Sequence, residues 1–361
     1  MGTRRSRRCS PSTSATSPIW CGTWASTSRR PRAPLTSRST SWGSMASSEA
    51  RLVPLRRLLI DDPAIDSITV ALNYRCQNRC TFCFIERELD RKLPDTALGF
   101  IDRVLDENRR RGKLYRRIIY SGAECTMRED LPDLAHRALT RGGFEVVQIQ
   151  TNGRKLADER YLWKLLAAGI SEYFVSVHAG TAELDAQLTR APSNFAQMRE
   201  GLRNVRRIGA RLMSNTAVTR NNHRHLDELA SFLIDEDVPE CHFWAFIEYG
   251  DIDQQGEHVP HTESVPYLLE ATRRLEAAGR KVVISWFPEC MLGDMAHALD
   301  NHRATLLIHD EFADRSKAHG GFHCPHRAQC PRFGDSCVGL HERYVEIYGD
   351  HPEALSPFSD T

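Results

Sequence analysis

Between residues 67 and 286, short apolar runs that end in turn residues alternate with longer amphipathic stretches, and this order limits the fold more than any other feature. Strands are expected at 67–72, 117–120, 145–150, 173–177, 211–218, 242–247 and 281–286. Between them, apolar residues recur at helical spacing. The stripes are Leu98, Ile101, Val104 and Leu105, then 131–139, then Leu162, Leu165 and Leu166, then 195–208, then Leu226, Leu229, Phe232 and Leu233, and finally 265–278. Strands separated by helices of ten or more residues imply parallel βαβ units. The fold class expected is therefore α/β, a partial or full (β/α) barrel of about six βα units. A doubly wound sheet is the alternative, and in either fold ligands gather at the C-terminal ends of the strands.

Residues 1–44 do not share the pattern. They contain no Asp, Glu or Lys, yet hold eight Arg, eleven Ser and three of the six Trp, with Pro11, Pro18, Pro31 and Pro34 breaking any helix. An organellar transit peptide, a disordered basic tail and a start placed ahead of a true Met45 all fit. The last is preferred, because Trp20, Trp24 and Trp42 suit the other two poorly. The division expected is a disordered or non-native extension at 1–48, a barrel core at 49–286 and a cysteine-rich extension at 287–361. Lys and Arg total 48 against 47 Asp and Glu, which argues against a dominantly electrostatic nucleic-acid binder. The basic run at 109–111 and 116–117 reads as a solvated face. No apolar run approaches the ~18 residues of a membrane span, and a cytoplasmic protein is expected. Eleven cysteines, an odd number without a secretory signal, favour metal or redox use over a disulfide framework.

Just past the first strand, Cys76, Cys80 and Cys83 form a C-x3-C-x2-C array. A given cysteine in this chain would start such an array by chance about once in a thousand. Three thiolates on one loop suit a soft metal centre but fall one short of a closed zinc or iron–sulfur site. On an iron–sulfur cube, three ligands leave one iron open. The alternative is a structural zinc loop that borrows a remote fourth ligand.

The array resembles the cluster loop of the radical S-adenosylmethionine (radical SAM) superfamily, with Phe82 at the aromatic position between the second and third cysteines. Residues 121–126 (Ser-Gly-Ala-Glu-Cys-Thr) resemble the family's Gly-Gly-Glu-Pro-Thr loop, with Ser121 in place of the first Gly and Cys125 in place of Pro. The remaining likenesses are Asn152 in Thr-Asn-Gly, Ser176 at the next strand end, Arg190 in Leu-Thr-Arg-Ala-Pro, and Asn215 at the strand end after that. The resemblance implies a [4Fe-4S] cluster on Cys76, Cys80 and Cys83. It also implies SAM held by Phe82, Ser121, Gly122, Ala123, Glu124, Thr126, Asn152, Ser176, Arg190 and Asn215. Arg190 has a physical argument of its own, since a guanidinium grips a carboxylate through two parallel hydrogen bonds. The implied chemistry is reductive cleavage of SAM to a 5′-deoxyadenosyl radical that takes hydrogen from a substrate, with a flavodoxin or ferredoxin as reductant.

The tail holds Cys324, Cys330 and Cys337, with Cys290 upstream. This resembles the C-terminal auxiliary iron–sulfur domains (SPASM and twitch types) of one branch of the superfamily, with fewer cysteines than their full pattern. One second cluster on Cys290, Cys324, Cys330 and Cys337 is expected, with Cys241 as the substitute fourth ligand. Zinc on three of these cysteines plus His319, His323 or His326 is the alternative, and plain structural cysteines a third. Cys125 reads as packing. His223 and His225 are expected to face solvent, and residues 248–251 to line a substrate pocket. Three functions remain open: oxidation or rearrangement of a small metabolite, maturation of a ribosomal peptide, and non-enzymatic zinc binding. The short span from Met45 to the first strand favours the small molecule over a peptide-binding architecture.

Overall fold

A computed structural model describes residues 42–45, 65–83, 85, 93–247, 256–301, 305–309 and 321–358, all within one unit, Leu35–Thr361. Its main sheet has nine strands: β1 (Trp42–Met45), β2 (Ser67–Ala71), β3 (Arg117–Ser121), β4 (Val146–Thr151), β5 (Ile170–Ser176), β6 (Arg211–Val218), β7 (Glu240–Ala245), β8 (Lys281–Ser285) and β9 (Thr305–His309). From β2 to β8 the strands pair in chain order and all in parallel, giving a curled partial barrel rather than a doubly wound sheet. A doubly wound sheet would reverse its strand order at a switch point, and β2 to β8 do not.

Strand alternation sorts the side chains onto two faces. Ile68, Val70, Ile118, Tyr120, Val147, Ile149, Tyr173, Val175, Leu212 and Phe243 are buried in the core shared with the helices. Their alternates, Thr69, Ile119, Gln148, Phe174, Met213 and His242, are buried outside that core, on the inner face. The helices supply matching stripes. Helix Leu98–Arg110 buries Phe100, Ile101, Val104 and Leu105, and buried Asn108 bonds the Tyr115 and Gly142 carbonyls, tying the helix end to the start of β3.

A charged ladder crosses the N-terminal half of the inner face. Arg117 meets Glu172 at 3.0 Å, Glu172 meets Arg211 at 3.1 Å, and Arg211 meets Glu240 at 2.9 Å. Glu240 also takes Lys281 at 3.0 Å and His242 at 2.9 Å. Burial alone would raise the Glu240 pKa, but hydrogen bonds from His242, Arg211 and Lys281 outweigh it and hold the carboxyl well below the usual carboxylate range. Its contribution is therefore present above the unfolded carboxylate pKa of about 4.3 and lost as pH falls toward the folded value. Glu240→Ala is expected to cost between the ~1 kcal/mol of an exposed pair and the ~3–5 kcal/mol of a broken buried one. Urea melts at pH 7 and pH 3 check this, since the parent's advantage should shrink at the lower pH.

Two expected boundaries are corrected. Strand β9 lies in the stretch set aside as the tail, yet pairs with β2 (Thr69↔Leu306), so the sheet crosses the 286/287 division. Strand β1 falls within 1–48 and pairs in parallel with β9, adding an outer strand beside it. Helix Ala182–Thr189 has no counterpart in the sequence reading, because only Asp185, Leu188 and Thr189 are buried on it and no apolar stripe announces it. His223 is buried, contrary to expectation, with its ring 5.6 Å from that of Tyr267. Residues 248–251 and His319 lie outside the described residues. Among the described residues no helix is long and apolar enough to cross a membrane.

Candidate active site

The cysteine loop leaves the C-terminal end of β2 and is fastened by backbone and polar side chains. Arg79 N–H donates to the Thr189 carbonyl (2.9 Å) and Thr81 N–H to Leu188 (2.8 Å), so the unforeseen helix Ala182–Thr189 is what carries the loop. Asn78 donates to Asn194 at 2.8 Å, and Asn194 in turn donates to both carboxylate oxygens of Asp185. Burial pushes the Cys76 thiol up to about 11, with Glu124 adding to the rise. Burial pushes Cys80 well up, with Cys83 and Cys76 adding to it. Cys76 and Cys80, which resist ionisation, need a cationic centre nearby to become thiolates. A cluster of irons supplies that charge, so the donor set fits one.

The second loop sits at the end of β3, beside the first. Gly122 has φ +124°, and a Cβ there would lie 2.5 Å from the Asn73 carbonyl oxygen. Gly122→Ala is therefore expected to cost about 1–3 kcal/mol in strain, read as a drop in denaturation midpoint. Gly99→Ala is the control: its Cβ meets nothing within 4 Å, and helix propensity favours alanine by up to ~1 kcal/mol.

Glu124 is buried and fully engaged. One carboxylate oxygen accepts from Thr126 N–H (3.1 Å), the Thr126 hydroxyl (2.6 Å) and the Thr151 hydroxyl (2.6 Å), and the other from Asn152 N–H (2.7 Å). Asn73, two residues past the end of β2, grips the Glu124 backbone, donating to its carbonyl at 2.8 Å and accepting from its N–H at 3.3 Å. Glu124 and Thr126 thus brace three strand ends, with residues 121–123 half-buried beside them. The Ser121 hydroxyl donates to Gln150 at 2.7 Å, so Ser in place of Gly is accommodated. Cys125 is fully buried, with its thiol on the Gln150 carbonyl, as packing requires.

Further round the barrel, Ser176 and Asn215 are register partners on β5 and β6. The Asn215 Oδ1 is buried without a hydrogen-bond partner among the described residues. Arg190 caps helix Ala182–Thr189 in the left-handed region (φ +51°) and is exposed. Phe82 packs edge-on to His178, ring centroids 4.5 Å apart. His178 went unnoticed in the sequence, although it continues the inner-face alternation of Glu172, Phe174 and Ser176. Burial holds its pKa down at about 4, and the Ala217 N–H bonds its Nδ1, so the neutral ring carries its proton on Nε2.

In the tail, Cys290, Cys324, Cys330 and Cys337 all line one cavity of about 340 Å³, open solvent included. Glu289 and Gly339 N–H groups both point at Cys337 Sγ, each at 3.3 Å. The Ser356 and His326 N–H groups bond Cys290 and Cys324. Burial raises all three of these thiols, Cys337 to about 11. Among the described residues no group of three or more His, Cys, Asp or Glu stands close enough to hold a metal ion as placed, although the four cysteines line one cavity. His326 lines the same cavity, whereas His323 turns to Asp350 at 3.3 Å. Cys241 is corrected: it is fully buried in the barrel core near the start of β7, its thiol pushed by burial to about 12, and it is not among the residues lining the tail cavity.

The model of the radical SAM superfamily matches residues 70–233, a span that opens inside β2 and contains both loops and every strand end named above. The chain carries a radical SAM domain. Members of this superfamily are enzymes that use a [4Fe-4S] cluster and SAM. The chain is 27% identical over 212 residues to a probable GTP 3′,8-cyclase of Sulfurisphaera tokodaii, covering 57% of this chain and 64% of that one. It is likewise 27% identical to the Fe-coproporphyrin III synthase of Methanosarcina barkeri, covering 57% and 51%. It therefore spans between half and two thirds of these relatives. The fold is similar to that of Streptococcus suis SuiB bound to S-adenosylmethionine (TM-score 0.50, 16% identity, 61% of this chain and 50% of that one). It is equally similar to anSMEcpe with bound AdoMet (TM-score 0.51, 16% identity, 60% and 63%).

Proposed function

We propose that this chain cleaves SAM reductively to modify a small metabolite, and that its tail holds a second iron–sulfur cluster. The observation that carries the reading is the three-cysteine loop fastened beside the Glu124-braced turn, within a radical SAM domain. A cluster with one open iron, held there, would supply the electron for reductive cleavage of SAM, the chemistry by which a hydrogen is taken from a substrate. The residues do the rest. Cys76, Cys80 and Cys83 would hold the iron. The backbone of 121–123, with Arg190, Ser176 and Asn215, would orient SAM, Arg190 gripping its carboxylate. Phe82 and His178 would wall the site against water, which keeps a radical from being quenched.

The small-metabolite reading rests on the names of the relatives, a GTP cyclase, a coproporphyrin synthase and a pterin dimethyltransferase. The likeness to SuiB, solved elsewhere with its precursor peptide, concerns the fold alone. A flavodoxin- or ferredoxin-type donor would deliver the electron. The test is anaerobic reconstitution with iron and sulfide, reduction with dithionite, and detection of 5′-deoxyadenosine. Product formation stoichiometric with chain supports the reading. One bound zinc with no sulfide and no 5′-deoxyadenosine would replace it with the zinc-binding one.

A further inference from the structure

The Thr-Asn-Gly turn after β4 does something its resemblance does not suggest. The Asn152 amide nitrogen lies 3.7 Å from Cys76 Sγ, and Asn78 N–H lies 3.3 Å from the same sulfur. An asparagine amide can be placed either way round, but here its partners decide. Asn152 Oδ1 accepts from Arg154 N–H at 3.1 Å and from Gln77 Nε2 at 3.4 Å, so the NH2 group is left facing the sulfur. The Asn152 backbone is fixed as well, since its N–H is held by the Glu124 carboxylate.

Arg154 reinforces this arrangement. Its guanidinium donates to the Gln77 carbonyl (3.2 Å) and the Asn78 side chain (2.8 Å), and is steadied by Gln197 (2.6 Å) and Ser193 (2.9 Å). A fixed cation thus clamps the two residues that follow Cys76, while the Arg154 backbone N–H, separately, orients the Asn152 amide. Hydrogen bonds and positive charge on a ligating sulfur draw electron density from an iron–sulfur centre and favour its reduced, more negative state.

We infer that the Asn152 amide and the Arg154 guanidinium that clamps the loop after Cys76 are positioning groups that together raise the reduction potential of a cluster held by Cys76, Cys80 and Cys83. This rests on the reading that those cysteines hold a SAM-binding cluster. Electron delivery to that cluster gates cleavage, so a higher potential widens the range of donors able to drive it.

The experiment is a redox titration of the full-length reconstituted protein, following the paramagnetic signal that changes on adding SAM. The variants are Asn152→Ala, Arg154→Gln and Arg154→Lys, each with iron counted. Asn152→Ala and Arg154→Gln should both move the midpoint to more negative potential, and Arg154→Lys, which keeps the charge, should stay nearer the parent than Arg154→Gln. Parent-like midpoints in Asn152→Ala and Arg154→Gln would overturn the inference, and would do so decisively if SAM no longer perturbed the Asn152→Ala signal, because Asn152 would then serve SAM rather than the cluster. If Asn152→Ala loses its iron, the two Arg154 variants decide: equal midpoints in Gln and Lys count against the inference. A parent protein with no SAM-responsive signal would instead sink the underlying reading.

Discussion

Single alanine replacements of Cys76, Cys80 or Cys83 are expected to reduce 5′-deoxyadenosine formation by more than about a thousandfold, equal to about 4 kcal/mol or more of barrier. Two remaining thiolates cannot hold a cube with one open iron. The loss should be chemical rather than structural, because the loop does not depend on metal for its course. Its N–H groups reach Thr189 and Leu188, and Asn78 is tied to Asn194 and Arg154. Thermal midpoints of the apoproteins should accordingly lie close to that of the parent apoprotein. Cys241→Ala is the informative control: it opens a small hole in the barrel core and costs ~1 kcal/mol or more of stability, while leaving the cluster's iron and SAM cleavage in place. Circular dichroism, iron counting and chromatography of the nucleoside product read all three quantities. Full SAM cleavage by a Cys80→Ala variant would refute the metal assignment.

The strand order was legible because it rests on the simplest physics available, alternation and helical spacing of apolar residues. Strands 67–72 and 211–218 were placed to within a residue, since Ile68 and Val70, or Leu212 and Val218, are buried where a period of two puts them. What escaped were the features that polar residues build. Helix Ala182–Thr189 buries an aspartate and a threonine in place of an apolar stripe, so periodicity is silent about it. Asn73, Asn194 and Arg154 fix the cysteine loop through contacts that span 51 to 116 residues of sequence, and no local pattern encodes such partners. The inner-face ladder from Arg117 to Lys281 was hidden for the same reason: single charged residues at strand starts read as ordinary surface positions until the strands are laid side by side. At the site itself, the residue types were legible but several of their tasks were not. Glu124 and Thr126 spend their side chains on each other and on Thr151, a bracing role that the motif alone does not reveal.

With Cys76, Cys80 and Cys83 all changed to alanine, the protein is expected still to bind about four iron and four sulfide after anaerobic reconstitution, all of it in the tail. Adding Cys290→Ala, Cys324→Ala, Cys330→Ala or Cys337→Ala should then reduce the iron to nearly none. The tail has few apolar residues to order itself: Leu340, Tyr344 and Leu355 make up its own buried cluster. Ordering some forty residues against chain entropy of ~1–2 kcal/mol per residue needs more than that. Four cysteines line one cavity, three of them bonded by backbone N–H groups, and metal coordination there would supply it. The tail is also fastened to the barrel, by Tyr344 stacked on His261 at 4.2 Å and by Tyr348 bonded to the His258 carbonyl at 3.0 Å. Loss of the tail metal should therefore raise amide exchange across 321–358 while leaving β2 to β8 protected. One zinc and no sulfide in the triple variant would overturn the iron assignment. The tail would then be a structural clip on the barrel, and an electron released from a substrate radical would have no acceptor there.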